Sequence, residues 1–214
     1  MKGQNIRDYK WASSIPVIRS IMDYFNPTGV LELGAGKNST PVIYEYNKKF
    51  ISIETDKEWI EMVKEIIPPR DNFTLIHHAL GINFRRTFVH IDKQIKKQCV
   101  EFYKQFISSD MEFLFVDHVA GLRVSAIIGL MNFFKYIVYH DADEPKLYGY
   151  NYLTKDITKN FIHILVRLPY VHTGILIKNQ YSGDIEKFIQ LLDKHNQIYC
   201  SKFNIPYERD ILIL

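Results

Sequence analysis

The sequence has 214 residues, 47% of them hydrophobic and 24% charged. That length and balance describe one globular domain with a sizeable core, and they exclude a disordered, collagenous or disulfide-framed chain. Lysine and arginine total 27 and aspartate and glutamate 24, so the formal charge of +3 is too mild to argue for a nucleic-acid partner.

No apolar run is long enough to cross a bilayer, and Met1-Lys2-Gly3-Gln4-Asn5 holds no apolar leader core. Cys99 and Cys200 stand apart, outside any metal or redox motif. These features predict a cytoplasmic protein with free thiols and no membrane partner.

Strand-like and helix-like segments alternate along the chain, as in a parallel sheet flanked by helices. Ser13-Ser14 ahead of Ile15-Pro16 starts a helix with Ile15, Ile18, Met22 and Phe25 on one face, and Asn26-Pro27-Thr28-Gly29 ends it. Val30 to Leu33 reads as a short buried strand closed by Gly34-Ala35-Gly36. A helix from Thr40-Pro41 to about Lys48 leads to a second strand, Phe50 to Ile53, which ends in Glu54-Thr55-Asp56. Trp59, Met62, Val63, Ile66 and Ile67 mark the next helix, which Pro68-Pro69 stops.

Phe73 to His77 reads as the third strand, and Asp92 to about Ser108 as a helix. Phe113 to Val116 is an apolar strand running into Asp117-His118. Val124, Ile127, Ile128 and Met131 mark a helix, and Tyr136 to Tyr139 is a fifth strand ending in His140-Asp141. A helix is expected near Tyr152 to Ile164, a strand at Val171 to Lys178, a helix through Ile185, Phe188, Ile189 and Leu192, and an edge strand at Ile211 to Leu214. The count is about five βα units with a β-rich end.

The segment richest in chemistry is Leu31-Glu32-Leu33-Gly34-Ala35-Gly36-Lys37-Asn38-Ser39-Thr40. Glycines at a strand–helix junction let the backbone approach a ligand, and the helix start offers free N–H groups. Glu32, inside the strand, opposes the pyrophosphate of a dinucleotide and suits a cationic ligand instead. Ser39 also replaces the third glycine of the dinucleotide fingerprint. Glu54, at the end of the second strand, is placed to accept from ribose hydroxyls.

Leu31 to Gly36 with Ser39-Thr40, followed by Ser52-Ile53-Glu54-Thr55-Asp56 and Trp59, resembles the first two motifs of the class I S-adenosylmethionine-dependent methyltransferases, nearest their small-molecule and sugar O-methyltransferase-like branch. The likeness is clear from Val30 to about Lys64 and looser from Phe113 to Asp143. It implies an α/β fold with a doubly wound, mostly parallel sheet of about seven strands and helices on both faces. It implies a single methyltransferase domain over 1–214, with 1–28 as an N-terminal helical extension.

The resemblance further implies S-adenosylmethionine as cofactor, with Glu32, Gly34 and Gly36 on its methionine end and Ser39 and Thr40 in the same site. Glu54 then holds the ribose, and Thr55 or Asp56 borders the adenine. Where many members carry an acidic or amide residue for the adenine amino group, this chain reads His77-His78-Ala79-Leu80-Gly81. A backbone carbonyl, His78 or apolar contact at Ala79 takes that place.

Ligands of open α/β sheets lie beyond the carboxyl ends of the strands. Methyl transfer needs an aligned acceptor and often a base, and histidine suits that work near neutral pH. His118 and His140 are the expected bases, with Asp117 or Asp141 as orienter or alternative base. Some O-methyltransferases of this fold bind magnesium through carboxylates at these strand ends, and Asp117, Asp141 and Asp143 offer such oxygens. Asp141-Ala142-Asp143 lacks the Asp-Asn pair of those enzymes, so a divalent metal is the less favoured reading.

Arg123 sits at a helix start, an unfavourable place for a cation, which points to a salt bridge with Asp117 or to an anionic acceptor. Tyr148, Tyr150 and Tyr152 are candidates for an acceptor wall or for ordinary packing. Arg85, Arg86, Lys93, Lys96, Lys97 and Lys104 read as a solvated helix face rather than a nucleic-acid surface. The leading expectation is methyl transfer to oxygen or nitrogen of a small-molecule or sugar acceptor. The alternatives are a methyltransferase-like binding or scaffold protein without catalysis, and an NAD-dependent oxidoreductase, which Glu32 and Ser39 disfavour.

Overall fold

The structure, a computed structural model, describes residues 6–79 and 91–214. Leu80, Gly81, Arg85, Arg86 and His90 lie outside the described residues. The strands are β1 (Gly29–Leu33), β2 (Lys49–Glu54), β3 (Phe73–His77), β4 (Phe113–Val116), β5 (Tyr136–Tyr139), β6 (Phe161–Leu168), β7 (Val171–Lys178) and β8 (Ile211–Ile213). They form one sheet in the order β3-β2-β1-β4-β5-β7-β6-β8. The first five run parallel, β7 is antiparallel to β5 and to β6, and β8 is antiparallel to β6.

Strands β1, β4 and β5 are buried along their whole length. Their apolar runs suit a parallel sheet covered on both faces. On one face Val30, Phe50, Phe113, Phe115 and Val138 meet α2 (Ile15–Phe25), α3 (Ser39–Glu45) and α9 (Ile185–Lys202). On the other, Leu31, Leu33, Leu114, Val116 and Ile137 meet α5 (Lys93–Lys104) and α6 (Arg123–Leu130). Helix α4 (Lys57–Ile66) and the residue after it put Val63 and Ile67 against Ala35, Phe73 and Leu75.

The N-terminal residues belong to this core. Val17, Ile18, Ile21 and Met22 of α2 are buried in the first cluster, while α1 (Ile6–Trp11) carries buried Tyr9 into the same cluster. Ser20 and His195 join α2 to α9 at 2.9 Å. Among the described residues no helix is long and apolar enough to cross a membrane.

One expectation is corrected. After the one-turn α7 (Pro145–Tyr148), the stretch from Tyr152 to Ile164, read as helical, holds a single α-helical turn, α8 (Lys155–Thr158), and then enters β6 at Phe161. Ile164, Val166 and Leu168 are buried at every second position, and β6 pairs with β7 over eight residues around the turn at Pro169-Tyr170. The hairpin satisfies the whole backbone ladder at once, which a one-turn helix cannot match. This strand raises the sheet from the seven expected to eight.

Between β1 and β4 the order reverses: the chain winds outward from β1 through β2 to β3, then crosses back to β4. Such a switch point opens a crevice at the carboxyl ends of the strands. Leu33 is in register with both Ile53 and Val116, so the three strand ends stand level where the crevice forms.

Candidate functional site

A cleft of about 720 Å³ lies at that switch point. The loop after β1 lines it with Gly34, Gly36 and Ser39, and the end of β2 with Glu54, Thr55 and Asp56. The ends of β4 and β5 add Asp117, His118, His140 and Asp141.

The glycine loop is shaped from both sides. Gly34 has φ +103°, a conformation other residues avoid. A Cβ there would lie 2.5 Å from the carbonyl carbon and oxygen of Asp117, so only glycine lets the loop pass this close to β4. At Gly36 a Cβ would meet nothing nearer than Ser39 Oγ at 3.8 Å, so its open side belongs to the cleft.

Glu32 is fully buried and does not line the cleft; it holds the loop from beneath. Its Oε1 accepts from Ser39 Oγ at 2.6 Å, and its Oε2 from Thr40 Oγ1 at 2.8 Å and Ser52 Oγ at 2.5 Å. Ser52 is its register partner on β2. Thr40 Oγ1 in turn accepts from the Gly36 N–H at 2.8 Å, so the carboxylate fixes the loop backbone through a hydroxyl. Burial pushes the Glu32 carboxyl up to about 7, against the three hydroxyls that favour its charge. Glu32, expected at a cationic ligand, thus sits beneath the loop and holds it through three hydroxyls.

Glu54 is buried but reaches the cleft wall. Its Oε1 accepts from the N–H of Thr55 at 2.5 Å and of Asp56 at 2.8 Å, and from Thr55 Oγ1 at 3.2 Å. Burial raises its pKa, and those donors oppose the rise. Asp56 caps α4, accepting from Glu58 N at 2.8 Å.

The ends of β4 and β5 form one charged network around Arg123, at the start of α6. Its Nη2 lies 2.8 Å from Asp117 Oδ1 and its Nη1 2.8 Å from Asp141 Oδ2. Its Nε donates to the His118 carbonyl at 2.6 Å, and the Tyr148 ring covers the guanidinium at 4.2 Å. Arg123 is thus the salt-bridge partner of Asp117 that its helix-start position suggested. Asp141 takes φ 55°, a left-handed turn that Asp tolerates and that aims its carboxylate back at Arg123.

His140 is buried in the same network, and its proton count follows from its neighbours. Ser13 Oγ gives its one proton to the Lys10 carbonyl at 2.9 Å, so it accepts from His140 Nε2 at 2.8 Å. His140 Nδ1 faces Asp141 Oδ1 at 3.3 Å and Asp117 Oδ1 at 3.4 Å. With acceptors at both ring nitrogens, these surroundings favour the imidazolium form. Burial opposes that charge, but the two carboxylates outweigh it and push the pKa up to about 10. Asp141, whose burial disfavours ionisation, is held well below the usual carboxylate range by His140 and Arg123.

His118 is the opposite case. It is buried, with neither ring nitrogen hydrogen-bonded among the described residues. Burial pushes its pKa down to about 3, with Arg123 and His78 adding to the effect. His140 and His118, the bases expected from the sequence, are thus shifted away from neutrality in opposite directions. The carboxylates favour the charged form of His140, and burial favours the neutral form of His118. Asp117 engages Arg123 and His140 through Oδ1 and is partly exposed at the cleft.

Most of the predicted residues thus meet at one cleft: Gly34, Gly36, Ser39, Glu54, Thr55, Asp56, Asp117, His118, His140 and Asp141. Thr40 and Glu32 lie beneath it. His78 stacks on Phe102 at 3.7 Å, and among the described residues lining the cleft are His77 but neither His78 nor Ala79. Asp143 is outside the charged network, accepting from His172 N at 3.0 Å. Tyr148 lines the cleft, Tyr150 donates to the His140 carbonyl at 2.8 Å, and Tyr152 is exposed.

Two residues escaped sequence reasoning. Trp11 of α1 lines the cleft, with its ring edge-on to Trp59 at 6.1 Å. Ser13 reads in sequence as part of a helix start, yet no side-chain cap is made at Ser14 and Ser13 bonds His140 instead. Only the Trp59 half of the aromatic pair carried a signal, through its place after Glu54-Thr55-Asp56.

No known family model matches the chain, and no curated protein matches it in sequence. Solved structures do resemble it. The O-methyltransferase from Bacillus cereus, determined in complex with SAH, superposes with a TM-score of 0.57 at 10% identity, over 78% of this chain and 81% of that one. A Klebsiella pneumoniae protein described as an O-methyltransferase superposes with a TM-score of 0.55 at 11% identity, over 78% of this chain and 80% of that one. Those likenesses, the strand order and the antiparallel β7 together identify the fold as the Rossmann-like fold of the class I S-adenosylmethionine-dependent methyltransferases.

Proposed function

We propose that the protein is an S-adenosylmethionine-dependent methyltransferase acting on oxygen or nitrogen of a small-molecule or sugar acceptor. The observation that carries this reading is the meeting, in one cleft, of an open glycine loop, the Glu54 carboxylate and the Asp117 carboxylate. When bound, the cofactor supplies a methyl group activated by its sulfonium. The residues fit it. Gly36 leaves space at the loop, and Glu54 keeps its hydrogen bonds from Thr55 and Asp56 on one oxygen, leaving the other for ribose hydroxyls. Trp11 and Trp59 form an aromatic wall.

Asp117 is assigned the acceptor. With Oδ1 engaged by Arg123 and His140, its second oxygen orients an O–H or N–H and receives the proton as the new bond forms. Arg123 and His140 hold the Asp117 side chain in place. Tyr148, over Arg123, bounds the acceptor side.

Crystals grown with S-adenosylhomocysteine test this reading. The nucleoside is expected between Gly36 and Glu54, with its sulfur turned toward Asp117. Binding at any other surface, with this cleft left open, would overturn it.

A further inference from the structure

Asp117 and Asp141 face each other across neighbouring strand ends. With a ring nitrogen of His140, their ligating atoms lie within 4.8 Å of one another. Two carboxylates in such a cluster match the protein share of a divalent-cation site, with water completing the shell. The donor set, however, is already committed. Arg123 spans the two carboxylates with two nitrogens of one planar group, each contact 2.8 Å.

The guanidinium is not a loose surface charge. Arg123 is buried, its Nε and Nη1 donate to the carbonyls of His118 and His140 at 2.6 and 3.2 Å, and Tyr148 packs over it at 4.2 Å. A guanidinium keeps its charge at every accessible pH and suits carboxylate pairs geometrically. His140 Nδ1 lies 3.4 Å from Asp117 Oδ1 and 3.3 Å from Asp141 Oδ1, which crowds the same space further. A divalent ion entering between the two carboxylates would meet the Arg123 guanidinium at contact range. The residues do not fit a metal while Arg123 is in place.

We infer that Arg123 occupies the cation seat between Asp117 and Asp141, so this strand edge works without a divalent metal, and that removing the guanidinium unmasks a divalent-cation site made by the same two carboxylates. The inference rests on this network alone and stands whether or not the cleft takes S-adenosylmethionine.

Manganese is the probe, because bound Mn²⁺ loses the sharp spin-resonance signal of the free ion. The full chain is titrated as wild type, Arg123→Ala and Arg123→Ala/Asp117→Asn, with circular dichroism to confirm folding. Wild type is expected to bind no Mn²⁺ up to about 1 mM, the weak end of oxygen-ligand sites. Arg123→Ala is expected to bind at least about tenfold more tightly than wild type, and the double variant to lose that gain, since one carboxylate ligand is gone. Should Arg123→Ala not fold, Arg123→Gln removes the charge while keeping most of the packing under Tyr148 and is measured instead. If neither variant folds, the wild-type titration decides alone: silence up to that limit upholds the occupied seat. Mn²⁺ binding by wild type that Asp117→Asn abolishes would overturn the inference, as would a folded Arg123 variant that binds no better than wild type.

Discussion

Ser13 and His140 are hydrogen-bonded at 2.8 Å although 127 residues separate them in the chain. The bond ties the start of the chain to the end of β5. With its proton donated to the Lys10 carbonyl, the Ser13 hydroxyl favours a proton on His140 Nε2. The same segment carries Trp11 to the cleft beside Trp59. Ser13→Ala leaves a buried charged donor without its acceptor. It is expected to cost about 1–3 kcal/mol of stability, read by urea unfolding at neutral pH. A change within error would show that the bond carries no weight.

The His140 charge gives a pH signature. Its folded-state pKa is raised to about 10 from the ordinary 6.5. The stabilisation is therefore complete below about pH 6.5 and is lost as pH rises toward 10. Glu32 adds a fall at lower pH. Its folded pKa is raised from 4.5 to about 7, so burying it becomes costlier as pH rises through that window. Thermal melts should fall from pH 7 to 10 in the wild type, and the His140→Gln variant should lose that alkaline slope. Equal slopes in both would place the charge elsewhere.

The two glycines of the loop should separate folding from binding. Gly34→Ala forces a left-handed alanine against the Asp117 carbonyl and is expected to cost more than about 2 kcal/mol. Gly36→Ala meets no close neighbour, so its melting temperature should stay near wild type while its methyl narrows the cleft and weakens nucleoside binding. Melting curves and titration calorimetry on the pair check this, and the reverse order of effects would contradict it.

Much of this fold was legible because its signals are local. The strands at Phe73–His77, Phe113–Val116, Tyr136–Tyr139 and Val171–Lys178 have the bounds that their apolar runs suggest. Strand β6 was not legible, because Phe161 and Ile164 fit a helical spacing as well as an extended one and only pairing with β7 decides between them. At the site, the sequence places the strand ends together through topology, and the cleft gathers most of the named residues. It could not show that the surroundings of His140 favour its charge, or that the buried His118 ring has no hydrogen-bond partner among the described residues. Those states depend on Ser13, Asp141 and Arg123, which are distant in sequence or turned by a left-handed backbone. The shift from His78 to His77 at the cleft comes from strand alternation, since successive side chains of an extended chain point to opposite sides.

On the proposed reading, this cleft takes the S-adenosyl nucleoside rather than a dinucleotide. Titration calorimetry of the full chain with S-adenosylhomocysteine and, separately, with NAD tests it most directly. Saturable binding of S-adenosylhomocysteine is expected, with no heat from NAD, and Glu54→Ala should weaken that binding by about 1–3 kcal/mol while remaining folded. Tight NAD binding without any binding of S-adenosylhomocysteine would contradict the account.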